Sequence, residues 1–354
     1  MALQGFKKRG GNVSEHSEIP RSVSRTLRKI ESRPGVHKPR ALILAGDATP
    51  LLDWGDTTLP VAVGGLTKLF TMAMVLRELD RGALTLETRI GDVLPEEAMS
   101  GLCVLGGIDH SSSITIAHLL SHRSGITDYF TPPGKNTLSL MQQVTRQDRA
   151  WSLDQALEIS RHYSGRFIPS ADRAPEYSAT NYLLLGAILT ETTGMNFPAL
   201  VNLRIVGSLN LTGTYAFSHD SYEKYFSISP IYQATEVLRA PQALASSAAH
   251  GSMISTAYDV ATFVSALWAG KLCEPTWLGI SADEDAKTRR AGLASLGLTV
   301  AKGTPPLVGM GSDNGAATAL NLDTGAIGFA TSNQLTTARG SFDDLAAIMS
   351  GVLA

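Results

Sequence analysis

Val63-Gly64-Gly65-Leu66-Thr67-Lys68-Leu69-Phe70 carries a reading of fold and a reading of chemistry in one stretch. From Leu66 onward apolar residues recur at helical spacing, with Leu69, Met72, Val75, Leu76 and Leu79 on one face, until Gly82, which suits the left-handed position just past a helix end. The pattern predicts a helix from about Leu66 to Gly82, opened by two glycines. Residues three apart on a helix are neighbours, so a side chain at position 65 would stand beside Lys68. A serine there would offer its hydroxyl to a desolvated lysine, which is the arrangement of a nucleophile and its base. The lysine is present, and position 65 is glycine. What Gly65 still offers is a backbone N–H at a helix start, which suits an oxyanion. Read alone, Gly65 is a helix-start glycine and Lys68 a surface lysine, so the other segments of the chain have to decide.

Working outward, Ser24 to Arg33 reads as a short helix stopped by Pro34-Gly35. Two apolar runs follow, Ala41 to Ala45 and Leu51 to Trp54, joined through Gly46-Asp47 as a β-hairpin. Helical segments are expected from Tyr182 to Thr193, ending at Gly194, and from Tyr258 to Trp268, ending at Gly270. Near the C-terminus Gly297 to Ala301, Ala316 to Leu322 and Ala326 to Ser332 read as strands, and Phe342 to Val352 as a last helix. Strands at both ends with helices between them predict one sheet built from the two termini and a helical lobe inserted into it. The expected organisation is a loose tail over residues 1–20, an α/β sheet lobe from 21–60 and 290–354, and a mainly helical lobe from 61–289, with the site between the lobes.

A chain of 354 residues can bury a large core, and a formal charge of −2 gives no electrostatic reason to expect nucleic acid or an anionic membrane as a partner. The first twenty residues contain Lys7-Lys8-Arg9-Gly10-Gly11 but no apolar run of the kind a signal peptide needs. No later run reaches the ~20 apolar residues of a membrane helix, so the expected location is cytoplasmic. Cys103 and Cys273 fit no paired metal or redox spacing and read as buried free thiols. His118 and His122 are four apart, but no Glu follows the first and no third ligand is in sight, so a metal site is not expected. No metal or organic cofactor is implied anywhere in the chain.

Several ordered segments together resemble the serine β-lactamase-like family, which includes class C β-lactamases, penicillin-binding proteins and related esterases, amide hydrolases and acyltransferases. They are Gly64-Gly65-Leu66-Thr67-Lys68, the run from Leu76 through Gly82 to Asp92-Val93-Leu94-Pro95, and Ile116 to Ile126 with His118 and His122. Tyr177-Ser178-Ala179 with its following apolar helix, His250 to Asp259, and Gly309-Met310-Gly311-Ser312-Asp313-Asn314-Gly315 complete the set. Their order and approximate separation match over roughly residues 40 to 335. The resemblance implies an α/β (α+β) fold of the β-lactamase/transpeptidase type, an antiparallel sheet flanked by terminal helices with an inserted helical lobe.

It also implies roles. Position 65 is the nucleophile position, Lys68 the base, and Tyr177 the tyrosine that passes protons between nucleophile and leaving group. The third residue of the Tyr177 motif, usually Asn where β-lactams are processed, is Ala179, so that amide contact is lost. The later motif, Lys or His followed by Thr or Ser and then Gly, is best matched by Gly309-Met310-Gly311, which carries neither a cation nor a hydroxyl for a substrate carboxylate. The N–H groups of Gly65 and Ser312 are the expected oxyanion donors, while Asp313 lines the pocket. Tyr129, Trp151 and Tyr163, in the variable region between motifs, are candidates for the pocket wall. If a substrate carboxylate matters, Arg123 or Arg173 would have to replace the lost cation.

Penicillins and cephalosporins fit these losses poorly, and peptidoglycan is not expected as a substrate where no export signal is read in the sequence. The resemblance implies a small-molecule acyl substrate, a neutral ester, amide or thioester, with an acyl acceptor or carrier as the further partner. Two readings of Gly65 stay open at this stage. The chain is a serine hydrolase or acyltransferase made deficient by Ser to Gly at position 65, or a natural non-hydrolytic member, either a binding protein or an enzyme using Lys68 and Tyr177 for proton transfer alone.

Overall fold

The first sheet strand, β1 (Arg40–Leu44), is buried along its whole length, which means both faces of the sheet are covered. The computed structural model describes residues 19–132, 134, 138–278, 293, 296–301, 306–336 and 338–354. The tail expected over residues 1–20 lies, up to residue 18, outside the described residues, as does the expected lobe boundary at 289/290.

With β2 (Pro50–Trp54), β3 (Thr299–Val300), β4 (Leu307–Gly311), β5 (Ala316–Asn321) and β6 (Ile327–Thr331), β1 forms a six-stranded sheet in the order β3-β4-β5-β6-β1-β2. Every pairing is antiparallel, and the two ends of the chain meet at β1 and β6, where Arg40 faces Thr331 and Leu44 faces Ile327. Alternation of side chains then divides β1 between two cores. Ala41 and Ile43 pack with Leu27, Phe342 and Leu345 of the terminal helices α1 (Arg21–Glu31) and α4 (Ala338–Val352), whereas Leu42 and Leu44 face the large core shared with the helical lobe.

At the centre of that lobe lies α2 (Thr67–Asp80), buried on nearly all sides, with Phe70 stacked on Phe263 at a ring-centroid distance of 3.9 Å. It ends as its glycine foretells: Gly82 has φ +69°. Beside it runs α3 (Ala179–Thr193), which begins three residues earlier than the apolar pattern suggests and stops at Gly194 with φ +68°. A three-stranded sheet of Val61–Ala62, Met253–Ser255 and Tyr215–Ala216, and a hairpin of Ile231–Gln233 and Glu236–Leu238, also belong to this lobe. Both cysteines are free and buried. Among the described residues no helix is long and apolar enough to cross a membrane.

Because the Phe70–Phe263 stack ties α2 to the helix Ala257–Trp268 in the middle of the core, Phe263→Ala should lower the unfolding free energy by about 3–5 kcal/mol, read from the denaturant midpoint. A loss under about 1 kcal/mol would show that this stack does not anchor α2.

Candidate active site

A cavity of about 1180 Å³ opens where α2, the segment before α3 and the end of β4 converge, and Gly65, Lys68, Tyr177, Ser312 and Asp313 all line it. Its floor is the front of α2. A short 3-10 turn, Gly64–Leu66, runs directly into that helix, with Gly64 at φ +51°. The entry is fixed from behind: Val63 N–H donates to Met253 O, Met253 N–H donates to Thr67 Oγ1, and Thr71 Oγ1 donates to Ala249 O.

Lys68 is 5% exposed, so the surface-lysine reading fails. Its Nζ donates to the Tyr177 hydroxyl at 3.3 Å and lies 5.0 Å from the Tyr177 ring centroid and 6.0 Å from that of Tyr182. Burial lowers its pKa to about 8, against the opposing pull of Asp313 and Asp128. Roughly a tenth of the amine is therefore neutral at pH 7, and half at pH about 8. Burial at the hydroxyl end, reinforced by Asp128 and Asp313, pushes Tyr177 well above the usual phenol range, so it holds its proton.

Two histidines stand behind this pair. His122, at φ +56°, accepts the Ser178 N–H at Nδ1 (3.3 Å), with the Asn181 amide 3.1 Å from the same nitrogen, and its ring sits 4.9 Å from that of Tyr177. His250 Nε2 is 2.6 Å from the Tyr129 hydroxyl. Burial, then the charge of Lys68, drives both imidazoles down to about 3. They are neutral at any physiological pH. His118, by contrast, caps its own short helix, Ile116–Leu120, with Nδ1 accepting the Thr115 N–H. The pair spaced by four therefore does not share a task.

Several expected site residues are corrected by the packing. The Ser312 N–H is not aimed at an oxyanion: it donates to Ala316 O at 2.8 Å and to Ser341 Oγ at 3.2 Å, because the turn after β4 closes on β5 and α4. It is the Ser312 side chain that reaches the site, its Oγ accepting the Gly65 N–H at 2.6 Å. Ala179 does not line the cavity. It is 1% exposed among Tyr129, Trp151 and Leu183, and its N–H donates to Asp128 Oδ1, because the first turn of α3 points that side chain inward. Tyr129 and Trp151 belong to the same cluster, one layer behind Phe130, which does line the cavity, and Tyr163 is absent from the wall as well. Gly309 lies inside the sheet, where a Cβ would meet Thr318 O at 2.0 Å, while Met310 and Gly311 do face the cavity. Arg123 donates to Arg173 O, and Arg173 lies over the Phe167 ring, so neither guanidinium reaches the site.

Sequence reasoning also missed most of the wall. Met141, Val144, Leu244, Phe226 and the hairpin 231–238 form an apolar side, with Arg239 at its edge. Phe226 is 83% exposed. Strands of three residues are too short for a period to register, and Ile231-Tyr232-Gln233 and Glu236-Val237-Leu238 show no apolar-polar alternation.

A sequence model of the beta-lactamase family matches residues 55–352. Penicillin-binding protein 4 of Amycolatopsis lactamdurans is 27% identical over 205 residues, 56% of this chain and 48% of that protein, so the chain spans about half the length of the curated relative it matches. Among solved structures, a D-stereospecific amidohydrolase from Streptomyces sp. superposes with a TM-score of 0.70 at 21% identity, covering 94% of this chain and 98% of that one. EstCE1, described as a hydrolase with promiscuous acyltransferase activity, gives 0.70 at 17% identity, covering 94% and 99%. At such identities the likeness is one of fold.

The two neutral histidines set a pH dependence. Their folded pKa values near 3 lie below the ~6.5 of an unfolded chain, so between those values the unfolded state binds more protons. Stability should be full above about pH 6.5 and fall with acid, by up to about 1.4 kcal/mol per pH unit for each histidine. His250→Gln should remove one share of that slope in denaturant titrations at several pH values. An unchanged slope would show that His250 protonates without penalty.

Proposed function

The chain belongs to the beta-lactamase family, and from that premise we propose that it is a hydrolase or acyltransferase site for a small neutral ester, amide or thioester, lacking the nucleophile at position 65. One observation carries the reading: a side chain on residue 65 would begin 2.9 Å from Lys68 Nζ, and that amine is hydrogen-bonded to Tyr177. With a hydroxyl on residue 65, neutral Lys68 would take its proton as the oxygen attacks the carbonyl carbon, and Tyr177 would relay the proton to the leaving group. An amine with pKa about 8 suits this work near neutral pH, since an appreciable part of it is free to accept a proton.

The substrate class is supported by the lining. Gly309 and Met310 stand at the positions where the resemblance expects a cation and a hydroxyl for a carboxylate, and the lining by Met141, Val144, Leu238 and Leu244 favours an apolar acyl group. Shape and desolvation, rather than an ion pair, would hold such a substrate.

Gly65→Ser is sterically feasible, since the closest atom to the new Cβ is the flexible end of Lys68. It should raise turnover of nitrophenyl esters and thioesters steeply over the unmodified protein, toward the factor on the order of 10⁶ that a catalytic nucleophile can contribute. Adding Lys68→Met should abolish the gain. If Gly65→Ser gains no turnover, the covalent reading falls, and proton transfer by Lys68 and Tyr177 without an acyl intermediate takes its place.

The rate of that serine variant should also climb with pH through about 8, as the Lys68 ammonium loses its proton and becomes a base. A flat profile from pH 6 to 9 would rule out Lys68 as the base.

A further inference from the structure

Glycine at position 65 leaves a gap beside Lys68, and a hydroxyl from the other side of the cleft faces that gap. The point at which a side chain on residue 65 would begin is 2.9 Å from Lys68 Nζ and 3.2 Å from Ser312 Oγ. The same Oγ accepts the Gly65 N–H at 2.6 Å. A Cβ on Gly64 would stand 2.5 Å from it, closer than real carbon atoms approach. Two successive glycines thus admit the Ser312 hydroxyl, and a side chain at either position would crowd it.

The backbone that delivers this hydroxyl is held firmly. Ser312 N–H donates to Ala316 O and Ser341 Oγ, and Ser312 O accepts from Ser341 Oγ at 3.1 Å and from the Gly315 N–H at 3.1 Å. With both backbone polar groups engaged in the turn, the side chain is the part of Ser312 that reaches the cavity, which it lines together with Lys68 and Tyr177.

We propose that Ser312 Oγ is the acyl-accepting nucleophile of this chain, a hydroxyl supplied from the turn after β4 to the place beside Lys68 that residue 65 leaves empty. The inference rests on the reading of the site as one for acyl transfer. In the step, neutral Lys68 Nζ takes the hydroxyl proton, Ser312 Oγ bonds to the carbonyl carbon, and the bond from that carbon to the leaving oxygen or sulfur breaks. An aryloxide departs as the anion while Lys68 keeps the proton; an alkoxide receives that proton through Tyr177. The products are acyl-Ser312 and the alcohol, phenol or thiol. Forming the new bond draws the Oγ lone pair away from Gly65, which frees that N–H for the carbonyl oxygen one atom along. Once its proton has gone to the alkoxide or to solvent, Lys68 is neutral again and can serve a water in the return step, so the adduct is to be read at early times, before that step is complete.

The test uses the full unmodified chain with p-nitrophenyl butyrate at mildly alkaline pH, read by intact mass and peptide mapping. The expected result is one butyryl group per chain, released with one equivalent of nitrophenolate and mapped to Ser312. Ser312→Ala should lose it while remaining folded, its melting temperature lowered only modestly by the Gly65 N–H left without its partner, and Lys68→Met should slow its formation by about a hundredfold or more. Gly65→Ser run in parallel separates the two claims. If that variant is acylated on residue 65 while the unmodified chain takes up no acyl group, or takes it up elsewhere than Ser312, the inference about Ser312 is overturned and the site reading stands. If neither protein is acylated, both fall.

Discussion

Burying the Lys68 amine is the constraint around which the site is arranged. An ammonium removed from water is expensive, and here it is compensated in part by the charges of Asp313 and Asp128 and by the ring faces of Tyr177 and Tyr182. The incomplete compensation is what holds the pKa of the amine at about 8, within reach of neutral pH. The same positive charge, together with burial, keeps His122 and His250 neutral, so the second layer contributes hydrogen-bonding shape without competing charge. Asp128 is itself fixed by the Ala179 and Thr131 N–H groups, which ties its field to the start of α3 and hence to Tyr177 two residues earlier.

That balance needs three parts of the chain brought together from far apart in sequence. The glycine turn and Lys68 come from α2, Tyr177 from the lead into α3, and Ser312 from the turn closing β4 onto β5. The sheet makes the third contribution possible. Because β1 is buried on both faces and joins β6, the C-terminal strands are registered against the N-terminal ones, and the end of β4 is delivered over the front of α2. Asn314 reinforces this junction by donating to Ala62 O, next to the entry of the 3-10 turn.

Much of this was legible in the sequence, and the limits have physical causes. The helical period after Leu66, the glycine stops and the C-terminal apolar runs marked their elements to within a few residues, because those signals are local, whereas β4, five residues long with two glycines, carried no such signal. The neighbourhood of position 65, Lys68 and Tyr177 could be anticipated from motif order. The direction of Ser312 could not: whether the backbone N–H or the hydroxyl faces the cleft depends on how the turn hydrogen-bonds to Ala316 and Ser341, one of them twenty-nine residues away. Tyr129 and Trp151 were misjudged for a related reason. An aromatic residue in a variable segment looks the same in sequence whether it lines a wall or, as here, packs one layer behind it.

Placing a hydroxyl at this site from position 312 instead of 65 changes what the neighbouring groups can do. An oxyanion donor at residue 65 needs its N–H free for a carbonyl oxygen. A hydroxyl from position 312 instead occupies that N–H in the resting state, so the donor becomes available only as the oxygen turns to the substrate. The resting hydrogen bond stabilises the ground state, an interaction the transition state must forgo, and that slows the chemistry. It also keeps the Gly65 donor paired inside a largely apolar cavity, where an unsatisfied N–H is costly. The two-glycine entry therefore gives a self-satisfied resting site, in which the Gly65 N–H has the Ser312 hydroxyl as its partner.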